Sequence, residues 1–338
     1  MKTTLKTSRY YASHLKAPRG RGGWLFENEL GEIVFSFSGT YSEAAAAAML
    51  SASVMYPIRG AVTWKSTAGT NVAIDALSNL ASGGVTGGAV VIIGEDYGEG
   101  SSIMQERSHA FAMKSQIWLF DPRPDLPSMV HAVEKAFELS EASHTPVMVE
   151  VRIRACHVHG RFKTKDNVKP GFTLKQALEN PIRDVNRIVL PPASFIHEKL
   201  KIEKRWPAAV QFIKENKLNE FLGPKKGDVG IILLGGMYNG VIRALQQLGL
   251  SDAYGESKLP LYVLNVTYPL AHDAIDELVG SHGSAVVCGG TGLYLRAALA
   301  DLAVPPPPPE GLRERVEEEV AADAAAAHAR LASLDAQA

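Results

Sequence analysis

The sequence has only two cysteines in 338 residues, Cys156 and Cys288. Neither belongs to a Cys-x-x-Cys pair, so neither a disulfide framework nor an iron–sulfur cluster held by this chain is expected. Such sparse usage suits a reducing cytoplasm. An excess of one charge sign is also missing: 35 Lys and Arg stand against 36 Asp and Glu, a formal net charge of −1. A balanced chain has no global field to draw it onto nucleic acid, although a local basic patch is compatible with it. No uninterrupted apolar run reaches the ~18 residues of a membrane span. The basic start MKTTLKTSRYYASHLK lacks the apolar core of a secretory signal. A cytoplasmic protein without a membrane partner is therefore expected. Local catalytic signatures are absent too: no G-x-x-x-x-G-K-[ST], His-Glu-x-x-His or G-x-S-x-G, and no G-x-G-x-x-G opening a helix after a strand.

What is present is ordinary globular composition, 46% hydrophobic and 21% charged. At roughly 150 residues per domain the length predicts two domains, or two and a half. Residues 24–37, WLFENELGEIVFSF, suit a hairpin around Asn28 to Gly31. A helix is predicted over 42–56, with Ser42 as N-cap and Pro57 just past its end. Strands are predicted at 60–64, 89–94, 116–120 and 146–153, and helices at 70–82 and 126–143. Strands alternating with helices predict a parallel sheet covered on both faces. A second, smaller unit repeats the alternation: strand 229–236, helix 237–249 closed by Gly249, strand 260–266, helix 271–280 and strand 284–288. Between the two, residues 159–226 lose the rhythm and read as a connector with solvated surface helices. Glutamates interleaved with the lysines there argue against an RNA-binding patch. After 289 a glycine turn leads into a helix, then a polyproline spacer at 305–309 and an Ala-rich charged helix over 310–338.

Several residues are candidates for chemistry. The loop GEDYGEGSS (94–102) follows a parallel strand at its carboxyl end, the edge where open α/β sheets bind ligands. Glu43 falls in the first turn of an otherwise apolar helix, where the dipole favours a carboxylate. This equally suits simple helix capping. The cluster CHVH (156–159) lacks the further ligands that a metal site needs and reads as a polar strand end.

Taken together, SEAAAAAMLSAS, AVTWKSTAGTNVAIDALSNLASGGVTGGAVVIIGEDYGEGSSIMQERSHAFA, VEKAFELSEASHTPVMVEVRIRACHVHG, GIILLGGMYNGVIRALQQLGL and LPLYVLNVTYPL resemble the indolepyruvate ferredoxin oxidoreductase alpha subunit. That subunit is one of the thiamine-diphosphate-dependent 2-oxoacid oxidoreductases. The resemblance covers about residues 40–282. It implies an α/β fold: a parallel-sheet pyrimidine-type thiamine-diphosphate domain over 39–158, a connector over 159–226, a smaller transketolase-C-like α/β domain over 227–288, and a helical tail. Residues 1–38 are unmatched. By the same resemblance Glu43 is the catalytic carboxylate. It hydrogen-bonds the cofactor's aminopyrimidine nitrogen and so helps to draw the proton from the thiazolium carbon. Lys65, Gly69 and Asn71 would line the cofactor site from the next glycine-bearing loop, and Ser101 and Ser102 from the loop after the following strand. No residue of this chain is expected to bind metal.

Two features of the family have no counterpart in the sequence. They are the diphosphate-binding domain with its Gly-Asp-Gly metal signature, and the cluster-binding cysteines. The chain is therefore expected to share thiamine diphosphate and Mg2+ with a diphosphate-domain chain and to rely on an iron–sulfur partner and ferredoxin. With 2-oxoacid and CoA it would support oxidative decarboxylation of an aryl pyruvate to an acyl-CoA, incompletely on its own. The tail differs. VVCGGTGLYLRAALADLA with LRERVEEE and AAHARLASLDA, about residues 284–338, resembles an internal piece of tRNA dimethylallyltransferase. The alternative is thus a transferase-related chain acting on tRNA, or an inactive composite joined near residue 284.

Overall fold

The computed structural model describes residues 23–27, 33–38, 42–95, 107–166, 171–271, 275, 285–288 and 311–334. The chain divides into two units, 1–290 and 291–338.

The first unit opens with an antiparallel hairpin, β1 (Gly23–Glu27) and β2 (Ile33–Ser38), with a register shift between Phe26 and Glu27. Helix α1 (Glu43–Leu50) starts after Ser42, whose extended backbone suits an N-cap. The long helix expected to Tyr56 is interrupted at Ser51, and one further turn runs over Ala52–Met55. There follow β3 (Gly60–Lys65), α2 (Asn71–Gly83), β4 (Ala89–Glu95), α3 (Ser108–Ser115), β5 (Trp118–Phe120), α4 (Leu126–Ser143) and β6 (Val147–Arg152). Strands β3, β4, β6 and β5 pair in parallel in that order. Their central residues, including Val90, Val91, Ile93, Trp118, Met148 and Val149, are buried, as a sheet covered on both faces requires.

The limits of α4 follow from local chemistry. The Asp125 side chain accepts from the Ser128 N–H at 2.9 Å, and Pro127 stands in the first turn. At the other end His144 turns left-handed (φ 51°) and places Nδ1 3.0 Å from the Val85 carbonyl.

The segment expected as connector does more than connect. It carries α5 (Ala193–Leu200), a wide turn at Lys201–Arg205, and α6 (Trp206–Glu215). Ala209 and Ile213 of α6 are buried in the main core. Trp206 meets Trp118 and Tyr268 edge-on, at centroid distances of 5.4 and 5.2 Å. Arg205 is buried under α2. Its Nη1 donates to the Ala81 and Ser82 carbonyls (3.3 and 3.1 Å), and its Nη2 to the Gly83 carbonyl (3.1 Å). These are carbonyls at the end of α2, where helical partners run out and positive charge is favoured. A Cβ on Gly84 would come within 2.6 Å of the guanidinium, so this position needs glycine for space as well as for its φ of +72°.

The second sheet is smaller. It contains β7 (Glu220–Leu222), β8 (Gly230–Leu234), β9 (Leu261–Leu264) and, further along the chain, β11 (Ala285–Cys288), in the order β11–β8–β9–β7 with only β7 antiparallel. Helix α7 (Tyr238–Gln247) follows β8, and Gly249 adopts φ +71° just beyond it. The strand predicted over 260–266 is in fact broken at Asn265. After β9 the chain leaves this sheet, and β10 (Val266–Tyr268) pairs antiparallel with β5 at the edge of the first sheet. Asn265 is the pivot. Its Oδ1 accepts from the Arg123 N–H (3.1 Å), and its Nδ2 donates to the Leu218 carbonyl (3.0 Å) and to Glu220 Oε2 (2.8 Å).

Most of the predicted helix at 271–280, the glycine turn at 289 and the polyproline spacer lie outside the described residues. In the second unit the predicted terminal helix is two helices, α8 (Leu312–Ala322) and α9 (Ala324–Leu334). Asp323 divides them: it is extended, and its Oδ1 accepts from the N–H groups of Ala325 and Ala326 at 3.0 Å, as an N-cap does. Arg330 returns to Glu319 across the bend at 2.8 Å. No helix among the described residues is long and apolar enough to cross a membrane.

Candidate functional site

The carboxyl ends of β3, β4 and β6 form one edge of the first sheet. β3 ends at Lys65, which is exposed. A tight turn, Ser66–Thr70, then feeds α2. Gly69 is buried at its heart. A Cβ there would lie 2.6 Å from Cδ1 and 2.8 Å from Cγ of Trp64, so glycine lets the turn close on the indole. The Trp64 Nε1–H donates to Thr70 Oγ1 at 3.1 Å and ties strand to helix. Ala68 has φ 72° and ψ −49°, a strained backbone for a residue with a Cβ. Asn71, the first residue of α2, is exposed. Three sequence candidates, Lys65, Gly69 and Asn71, are thus gathered on one turn. Glu43 is half-buried at the start of α1, a helix that packs along α2 and meets the same turn. Ser101, Ser102 and the loop acids Asp96 and Glu99 lie outside the described residues.

Behind this edge is a buried polar cluster of which the sequence offered only Glu95, as part of the 94–102 loop. Glu95, at the end of β4, is 1% exposed, and its Oε2 accepts the Ser108 hydroxyl hydrogen. Burial pushes its carboxyl up to about 7, against the opposing pull of Ser108, Arg107 and Arg152. His109 is pushed down to about 4, again mainly by burial, with Asp121 opposing. Its Nδ1 lies 3.3 Å from Glu150 Oε2; because the imidazole is neutral at pH 7, this is a dipolar contact and not an ion pair. Arg152 donates to both oxygens of the fully buried Asp121 and lies 3.7 Å from Glu150. A sequence signal existed: Glu150 interrupts the apolar run VMVEVRI, and a carboxylate inside a buried strand needs a partner.

The edge provides a carboxylate, a cation, an amide and a close-packed glycine turn. This fits the organic half of a cofactor site. It does not supply a metal: among the described residues no group of His, Cys, Asp or Glu could hold an ion.

The fold comes first: an α/β chain with a larger, mostly parallel sheet, a smaller second sheet and a helical tail. The solved 2-oxoglutarate:ferredoxin oxidoreductase from Magnetococcus marinus shares this fold. The TM-score is 0.55 at 18% identity, over 88% of this chain and 55% of that one. More particularly, residues of this chain are similar to indolepyruvate oxidoreductase subunit IorA. The similarity is 29% identity over 221 residues in Methanothermobacter thermautotrophicus and 28% over 260 residues in Methanothermobacter marburgensis. These alignments take in 64% and 75% of this chain but only 33% and 39% of the relatives, so the chain spans little more than a third of their length. Residues 268–338 match the IPP transferase family.

Proposed function

We propose that this chain provides the pyrimidine side of a thiamine-diphosphate-dependent 2-oxoacid oxidoreductase, with a 2-oxoacid of the indolepyruvate type as substrate. The observation that carries the reading is the Lys65–Gly69–Asn71 turn, set beside Glu43 at the carboxyl edge of the sheet, in a chain similar to IorA. Thiamine diphosphate, when bound, supplies the nucleophilic carbon and the electron sink for decarboxylation. Glu43 holds a proton at the aminopyrimidine nitrogen. Lys65 and Asn71 orient the cofactor from the sheet edge, and Gly69 keeps the turn low enough to admit it. Glu43 is half-buried in the chain alone. A facing diphosphate domain would complete its desolvation, bring Mg2+, and hand electrons to an iron–sulfur partner and then ferredoxin, with CoA accepting the acyl group.

The test is calorimetry with thiamine diphosphate and Mg2+ on the chain alone, then with a candidate diphosphate-domain subunit. Saturable binding is expected only in the second case and is expected to be lost with Glu43→Ala. If no binding occurs in either case, or if Glu43→Ala binds undiminished, the reading is wrong. A second reading rests on the match at residues 268–338: the tail derives from a transferase that prenylates tRNA adenine. Radiolabelled prenyl transfer to tRNA is its assay, and no transfer is expected.

A further inference from the structure

Helix α5 and the turn after it are inside out. His197, Lys201 and Arg205 stand at four-residue spacing, and all three are buried. The side chains left to solvent are Phe195, Ile196, Leu200 and Ile202, which are 75, 54, 38 and 53% exposed. A surface helix ordinarily does the reverse, with its polar face outward and an apolar stripe on the core. The buried groups are satisfied where they stand. Besides closing α2, Arg205 donates to His197 Nδ1 at 3.1 Å, which leaves the His197 Nε2–H to the Asn186 carbonyl. Lys201 donates to Glu198 Oε2 at 2.9 Å. Turning the helix to hide its apolar side would unpair these groups, so the apolar side stays out.

The segment before α5 adds to this surface. Leu178, Ile182, Val185 and Leu190 are exposed as well. The segment is tied down: the Ser194 N–H donates to the Leu190 carbonyl at 3.0 Å, and the Ile182 N–H to the Tyr56 hydroxyl at 2.9 Å. At roughly 100 Å² each, these eight side chains offer on the order of 800 Å². That exceeds the ~300–600 Å² of the largest apolar patch on a typical monomer and equals what each partner gives to a standard interface. The charges around it are largely spent within the segment. Its four acids, Glu179, Asp184, Glu198 and Glu203, are paired with Lys175, Arg187, Lys201 and Lys199. An identical face would therefore meet no run of one sign to repel it.

We propose that this outward face of α5 is the interface for a second copy of the chain, packed about a two-fold axis. A two-fold interface sets the same patch against itself, and interfaces between like chains are the more apolar class. A partner steered by charge would call for a face of one sign, which is not found here. None of the residues proposed to hold thiamine diphosphate takes part, so the pairing is independent of that reading.

The test is sedimentation velocity of the full chain at rising concentration, without cofactor or any other protein. A concentration-dependent dimer is expected. Phe195→Lys and Ile202→Lys, both at exposed positions, are expected to melt with the wild type and to weaken the dimer by about thirtyfold or more. Leu248→Lys, at a 71% exposed position just past α7, is expected to leave it unchanged. Should a lysine variant fail to fold, amide exchange of the wild type decides the matter: exchange over residues 190–204 is expected to slow as the concentration rises. A chain that stays monomeric would overturn the inference, and so would a dimer that both α5 variants leave intact. Equal loss with Leu248→Lys, or exchange over 190–204 that ignores concentration, would overturn it too.

Discussion

Arg152 grips Asp121 with two hydrogen bonds, Nε to Oδ1 at 3.2 Å and Nη2 to Oδ2 at 2.6 Å. Asp121 follows β5 and Arg152 ends β6, so the pair locks two neighbouring strands at their carboxyl ends. The second sheet rests on this pair. A Cβ on Gly236, just after β8, would intrude on both Arg152 Nε and Asp121 Oδ1, and one on Gly235 would strike the Asp121 carbonyl. The Gly-Gly of ILLGGM is there because the backbone of one sheet must approach the ion pair of the other.

Gly236→Ala is therefore expected to spread a buried charge pair. The cost of disturbing such pairs predicts a loss of about 2–4 kcal/mol in unfolding free energy. Urea denaturation checks it; a change below about 0.5 kcal/mol would show that the pair gives way freely.

Arg205→Met keeps the length of the side chain and removes the donors that close α2. With three carbonyl acceptors left dry, a loss of about 2–4 kcal/mol is expected. Hydrogen exchange should rise in the last turn of α2 before it rises in β4.

Glu95 and His109 pull stability in opposite directions with pH. Glu95 is raised from 4.5 to about 7, so its contribution is full below pH 4.5 and is lost as pH climbs to 7. His109 is lowered from 6.5 to about 4, so its contribution is full above pH 6.5 and is lost as pH falls to 4. Between pH 4.5 and 6.5 the two slopes, each near 1.4 kcal/mol per pH unit at most, offset one another. A nearly flat stability profile is expected there from these two groups. Glu95→Gln should uncover a fall in stability towards acid, and His109→Gln a fall towards neutral pH. Thermal melts at half-unit pH steps distinguish the two.

Ala68→Gly relaxes a left-handed backbone in the turn before α2. A gain of about 1 kcal/mol is expected. A loss would mean that the methyl group packs well enough to outweigh the strain.

The parallel sheet was legible because β4, β5 and β6 are dry on both faces and so read as apolar runs. The bounds of α4 were legible because Asp125, Pro127 and His144 act locally. The break at Asn265 was not, since the side chain's partners lie at Leu218, Glu220 and Arg123, far along the chain. The same holds for α6, whose basic neighbourhood resembles a solvated surface while Arg205 and Lys201 are buried. Of the candidate site, Lys65, Gly69 and Asn71 fall together because they share one short turn. The Glu95–His109–Glu150 cluster was hidden because three separate elements contribute to it.

The excursion of β10 has a consequence for how this molecule can be divided. The polypeptide builds the first sheet, crosses into the second, returns to lay one antiparallel strand along β5, and then goes back to supply β11. No single cut separates the two sheets intact. A fragment ending before residue 260 would leave β5 with a bare edge, open to pairing with another molecule. The family match that begins at residue 268 therefore starts within β10 and takes in β11, not at a boundary between the sheets.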